Sequence, residues 1–123
     1  MKTDGKFRLA TQHGNWAYFG NIELQVELLS HGTGVEIVIP VEVWQWRTGI
    51  SFGITYAYEK CTQLGRPRCA IRVDVIRADG HAVDTTELVM AFVSAHALWE
   101  ALNEKPIRLP SLDAAEGIFT FPK

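Results

Sequence analysis

Apolar and polar residues alternate early in the chain, where Ile22, Leu24, Val26 and Leu28 are separated by Glu23, Gln25 and Glu27. That period puts the apolar set on one face of a strand and leaves the other face wet. Val35, Ile37 and Ile39 resume the alternation after Ser30-His31-Gly32-Thr33-Gly34, a turn whose glycines accept positive φ. The two runs therefore predict an antiparallel hairpin. A short first strand is expected at 7–10 and a loop rich in glycine, asparagine and aromatics at 11–21. Trp44 and Trp46 alternate as on a strand, and packing is the better reading of both. The period then becomes helical: Thr48 can cap a helix whose stripe is Ile50, Ile54, Ala57, Cys61 and Leu64. Gly53 interrupts that stripe at a cost of about 1 kcal/mol relative to alanine. Gly65-Arg66-Pro67 ends the helix.

The stretch 71–102 carries the densest signal. Ile71, Val73 and Val75 alternate with Arg72 and Asp74, and a polar tip follows, Ala78-Asp79-Gly80-His81-Ala82-Val83. Asp84 opens a second helix, with Glu87 reaching back to its amide as in a capping box. Leu88, Phe92, Ala95, Trp99 and Leu102 form the stripe, yet the helix is apolar almost all round. Its remaining faces need cover from the first helix, the C-terminal segment or another subunit. Residues 103–123 read as an extended tail ending in an apolar run at 118–121, expected to pair with the chain's own sheet edge or with a copy of itself. Two amphipathic helices and a sheet with one polar face predict two layers. The fold class is α+β, a four-stranded, mostly antiparallel sheet with both helices on one face, in a single domain spanning 1–123.

Composition narrows the functional classes. With 123 residues, 47% of them apolar and 21% charged, the chain can bury one core. A net charge of −2 gives no global drive toward phosphate backbones. Arg66 and Arg68 lie at the opposite end of the 70–77 strand from Arg77, so no single basic patch is expected. Cys61 and Cys69 lack the C-x-x-C spacing and read as semi-buried thiols of a reducing compartment. Residues 1–6 carry no apolar signal core and no run is long enough to span a membrane, so a cytoplasmic location is expected, with no membrane partner.

Several motifs line up with one known family. Gly5-Lys6-Phe7, then Gln12-His13-Gly14-Asn15-Trp16-Ala17-Tyr18-Phe19-Gly20-Asn21, then the alternating strand, resembles the opening of domain IV of bacterial elongation factor G. Asp79-Gly80-His81-Ala82-Val83-Asp84-Thr85-Thr86-Glu87, followed by Met90-Ala91-Phe92, is similar to that family's second signature. Lys105-Pro106-Ile107-Arg108-Leu109-Pro110 resembles the link that leaves the domain, with 118–121 where the next domain's first strand would begin. The resemblance implies a split β-α-β sandwich with one left-handed crossover, and tips that touch RNA on the ribosome. It brings no GTPase chemistry. Trp16 stands where the family's first tip has an arginine, and the second tip is two residues shorter than the family's.

The candidate binding residues are those of the two tips: His13, Asn15, Trp16, Tyr18, Phe19, Asp79 and His81. Aromatics in a polar tip can stack on bases, fill a partner's pocket or plug the end of the core. His13 and His81 are expected near each other, without ligand spacing for a metal. His96 reads as a half-buried helix residue, and Glu23 and Glu27 as a solvated sheet face. No catalytic residue, metal or cofactor is expected. The leading expectation is a non-enzymatic, translation-factor-like module that binds ribosome or RNA. The alternative is a protein-interaction or structural domain, a homodimer through the second helix or C-terminal strand, that kept the fold and lost the RNA role.

Overall fold

The computed structural model describes residues 2–29, 32–62, 70–104 and 106–123. Strand β1 (Lys2–His13) pairs antiparallel with β2 (Trp16–Leu28) over its whole length, from Lys2↔Glu27 to His13↔Trp16. The loop expected at 11–21 is thus a continuous ribbon with a two-residue turn, Gly14-Asn15, in which Gly14 has φ 60°. Positive φ at the first turn position suits the right-handed twist of a tight hairpin. Gln12 and Asn15 favour a loop, but Trp16, Tyr18 and Phe19 are strand formers and their backbone partners decide the matter.

Strand β3 (Val35–Val38) does not form the expected hairpin with β2. It runs parallel to β4 (Ile71–Asp79), and β4 lies between them in the order β1-β2-β4-β3. Two of the three pairings are antiparallel, β1 with β2 and β2 with β4. The reason for the insertion is burial. Ile71, Val73 and Val75 are all at or below 5% exposure, so β4 takes a central position that the four-residue β3 cannot fill. A bulge opposite Glu23 and Leu24 leaves Ile76 unpaired and turned to solvent, 57% exposed.

One face of this sheet is covered by α1 (Arg47–Thr62) and α2 (Glu87–Leu102). Gly20, Ile22, Leu24 and Val26 of β2 point into the core, while the residues between them stay half exposed. The segment 41–46, expected to be extended, is a 3-10 helix that leads directly into α1. Trp44 is half exposed beneath the Arg47 guanidinium, whereas Trp46 packs on the core. Leu64, the stop at 65–67, Arg66, Arg68 and Cys69 lie outside the described residues. Helix α2 starts two residues later than expected. Thr86, not Asp84, is its cap, its hydroxyl accepting from the Val89 amide at 3.2 Å. Glu87 reaches forward to the Gly49 amide of α1 at 2.7 Å rather than back to Asp84.

The tail also differs from expectation. Strands β5 (Ser111–Asp113) and β6 (Ile118–Thr120) pair with each other, antiparallel, as a second small sheet rather than with the main sheet's edge. Phe119 packs edge-on against Phe92 and Tyr18, and Phe121 against Phe52 and Tyr56. The Tyr56 hydroxyl donates to the Pro122 carbonyl, and burial pushes its pKa up. The hairpin therefore supplies the cover that α2 needed from the C-terminal segment. Among the described residues, no helix is long and apolar enough to cross a membrane.

Candidate functional site

The two tips form one end of the molecule because β2 and the 80–86 turn are bonded to each other. The Phe19 amide donates to the Asp84 carbonyl at 3.1 Å. The buried Thr85 hydroxyl donates to the Phe19 carbonyl at 2.6 Å and accepts from the His81 amide at 2.7 Å. Gly80 closes the turn from behind. A Cβ there would meet the Trp46 ring at 2.6 Å and Thr85 at 2.7 Å. Trp46 thus supports the second tip from the core side, a role that alternation along 41–46 did not reveal.

Strand alternation then divides the candidate residues between two faces. On the open face of the sheet, Phe19 lies beneath the Arg8 guanidinium at 5.4 Å and against the His81 imidazole at 4.4 Å. Beside them, Asp79 accepts from the Asn21 amide at 3.1 Å and from Arg77 at 2.8 Å. The Asn21 hydrogen bond, helped by Arg77 and opposed by partial desolvation, holds the Asp79 carboxyl below its usual range. Further along, Arg72 pairs with Asp74 at 3.2 Å, so two of this face's cations are already matched by acids.

On the helix face lies a groove of about 450 Å³. Asn15, Trp16 and Tyr18 line it from the first tip, Val83 and Asp84 from the second, Thr86 and Leu88 from the start of α2, and Gly117 and Phe119 from the C-terminal hairpin. Trp16 is 64% exposed, Val83 89% and Leu88 51%. Tyr18 is held in place, its hydroxyl donating to the Ala114 carbonyl at 3.3 Å and its ring edge-on to Phe119. Sequence reasoning found Trp16 and Tyr18 but missed Val83, Leu88 and Phe119. The available signal was an apolar residue, Val83, inside an otherwise polar tip; Phe119 comes from a segment whose placement is purely tertiary.

The seven candidates thus separate into three groups. Asn15, Trp16 and Tyr18 share the groove; Phe19, Asp79 and His81 share the open face; His13 is exposed at the end of β1, in register with Trp16. His81 is taken up by Phe19 and by Asp84, whose carboxylate lies 3.8 Å from its Nδ1. Among the described residues, no three histidine, cysteine or acidic side chains gather as metal ligands would. His96 is half buried on α2, stacked at 4.5 Å on Phe7.

No protein-family model matches the chain. It is similar in structure to a protein from Thermus thermophilus known from its crystal structure, with a TM-score of 0.65 and 24% identity over 78% of this chain. The chain spans only 15% of that protein's length, so the likeness is to one part of a longer chain and shows the fold.

Proposed function

We propose that this chain is a non-enzymatic module of the translation-factor type, similar to domain IV of elongation factor G, that contacts ribosome or RNA in the cytoplasm through its paired tips. The observation that carries the reading is the coupling of both tips into one unit through Phe19, Thr85 and Asp84. A tip that must enter a partner gains from being ordered beforehand, because less entropy is lost on binding. The stack of Arg8, Phe19 and His81 adds a surface on which an unpaired base can lie. Co-sedimentation with ribosomes at low and high salt tests the reading. Salt-sensitive pelleting that His81→Ala abolishes is expected; no pelleting at any salt overturns it.

A second reading is a protein-interaction or structural domain. Its support is the apolar groove, which no lysine or arginine lines among the described residues. In the homodimer version of this reading, light scattering at high concentration gives twice the monomer mass, and a monomer mass removes it.

A further inference from the structure

We propose that the groove between the two tips and the C-terminal hairpin docks a short peptide of a partner protein, a bulky apolar side chain flanked by lysine or arginine. Trp16, Val83 and Leu88 stand exposed around one concavity rather than scattered over the surface. Its volume, about 450 Å³, falls in the range of ligand clefts. The floor is rigid. Tyr18 is fixed by the Ala114 carbonyl and by Phe119. Gly117, at φ 69°, lets the hairpin turn close over the rings; a Cβ there would lie 3.0 Å from the Tyr18 hydroxyl and 3.6 Å from Trp16. Ordered aromatic walls of this kind are what anchors a protein contact.

Charge selects the occupant. Asp84 lines the groove, its carboxylate 3.8 Å from the His81 Nδ1, and the adjoining turn that leans on Tyr18 carries the exposed Asp113 and Glu116 just outside the lining, with the Glu116 amide bonded to the Asp113 carboxylate at 3.3 Å. No lysine or arginine lines the groove among the described residues, so a phosphate backbone would find nothing to neutralise it. A second copy docked face to face would set one acidic rim against another. A cationic peptide with an apolar centre satisfies both the floor and the rim. This surface lies on the opposite face from the stack of Arg8, Phe19 and His81, which it meets only at the Asp84–His81 contact, and it does not depend on ribosome contact.

The test uses a set of fluorescein-labelled heptapeptides with Trp, Phe, Leu or Ile between lysine and arginine flanks, the same peptides with glutamate flanks, and a labelled oligouridine. Anisotropy reports binding, and amide and indole NMR signals of the full chain report the place. Cationic peptides are expected to bind, to move the Trp16 indole and Gly117 amide signals, and to weaken with salt. Trp16→Ala is expected to weaken binding by about tenfold or more, the loss of a single aromatic anchor. Glu116→Lys, at an exposed turn position, weakens binding and flattens its salt dependence. Arg8→Ala, on the open face and away from Asp84, leaves peptide binding unchanged, which separates this result from the ribosome test. The proposal is overturned if no peptide moves the groove signals, if glutamate-flanked peptides bind equally well, if oligouridine moves those signals instead, or if they move with protein concentration alone.

Discussion

Thr85 is the smallest side chain on which the paired tips depend. It is 7% exposed, and its hydroxyl both accepts from the His81 amide and donates to the Phe19 carbonyl. Thr85→Val keeps the shape and leaves two part-buried backbone groups without their partner. A loss of about 1–3 kcal/mol is expected by urea unfolding, with faster hydrogen exchange at His81. Unchanged exchange there would show that the tips are held by something else. Asp79 supplies a residue-scale pH effect. Its folded pKa lies below the usual aspartate range, chiefly through the Asn21 amide. The stability this contributes is present above the unfolded-state pKa and lost as pH falls through the folded value. Asn21→Ala is expected to move the Asp79 carboxyl titration, followed by carbon NMR, upward toward the ordinary range and to shrink the acid-side loss; an unmoved titration would assign the depression to Arg77.

The contact between the helices rests on small residues. Gly49, Gly53 and Ala57 recur every four positions along α1, which puts them on one face. A Cβ at Gly49 would lie 2.2 Å from the Glu87 carbonyl oxygen, and one at Gly53 2.2 Å from that of Ala91. One turn further on, the Trp99 indole of α2 donates to the Ala57 carbonyl at 3.1 Å, buried. Gly53 therefore weakens α1 locally and lets α2 approach closely, and the second effect outweighs the first. Gly53→Ala gains about 1 kcal/mol of helix propensity and costs about 1–3 kcal/mol in overpacking, more if the carbonyl cannot shift. A lowered Tm is the expected outcome of thermal unfolding; a raised Tm would mean that the helices separate easily. At the C-terminal end of α2, Asn103 takes the left-handed conformation, φ 55°, that ends the helix without a glycine.

Across the whole molecule, Phe92 joins three layers. Its ring touches Phe7 from the sheet, His96 on its own helix and Phe119 from the C-terminal hairpin. Phe92→Ala is expected to cost about 3–5 kcal/mol, measured by denaturant unfolding, a large part of a typical domain's stability. The near-ultraviolet circular dichroism of the aromatic cluster should fall with it. Retained dichroism with lower stability would mean that the hairpin stays seated without this ring. Because the same hairpin completes the groove beside Trp16, loosening it links core packing to binding at the tips.

Period and burial are local properties, and they made β2, β4, both helices and the two-layer α+β class legible from residues alone. Ile22, Leu24 and Val26 could face only a core, and Phe92 and Trp99 required cover on more than one side. Pairing is a different kind of quantity, because any apolar face satisfies an alternating strand until its competitors are compared. That is why β3 joins β4 rather than β2, and why 118–120 pairs with 111–113 instead of the sheet edge. The tips were legible as polar turns bearing aromatics. Their division between a stacked open face and an acidic-rimmed groove came from side-chain parity in β2 combined with a distant hairpin. The chain's own order of residues determined which elements form and which faces are apolar. The tertiary structure alone decided which strands are neighbours and what surrounds Trp16, since those outcomes depend on contacts between segments far apart in sequence.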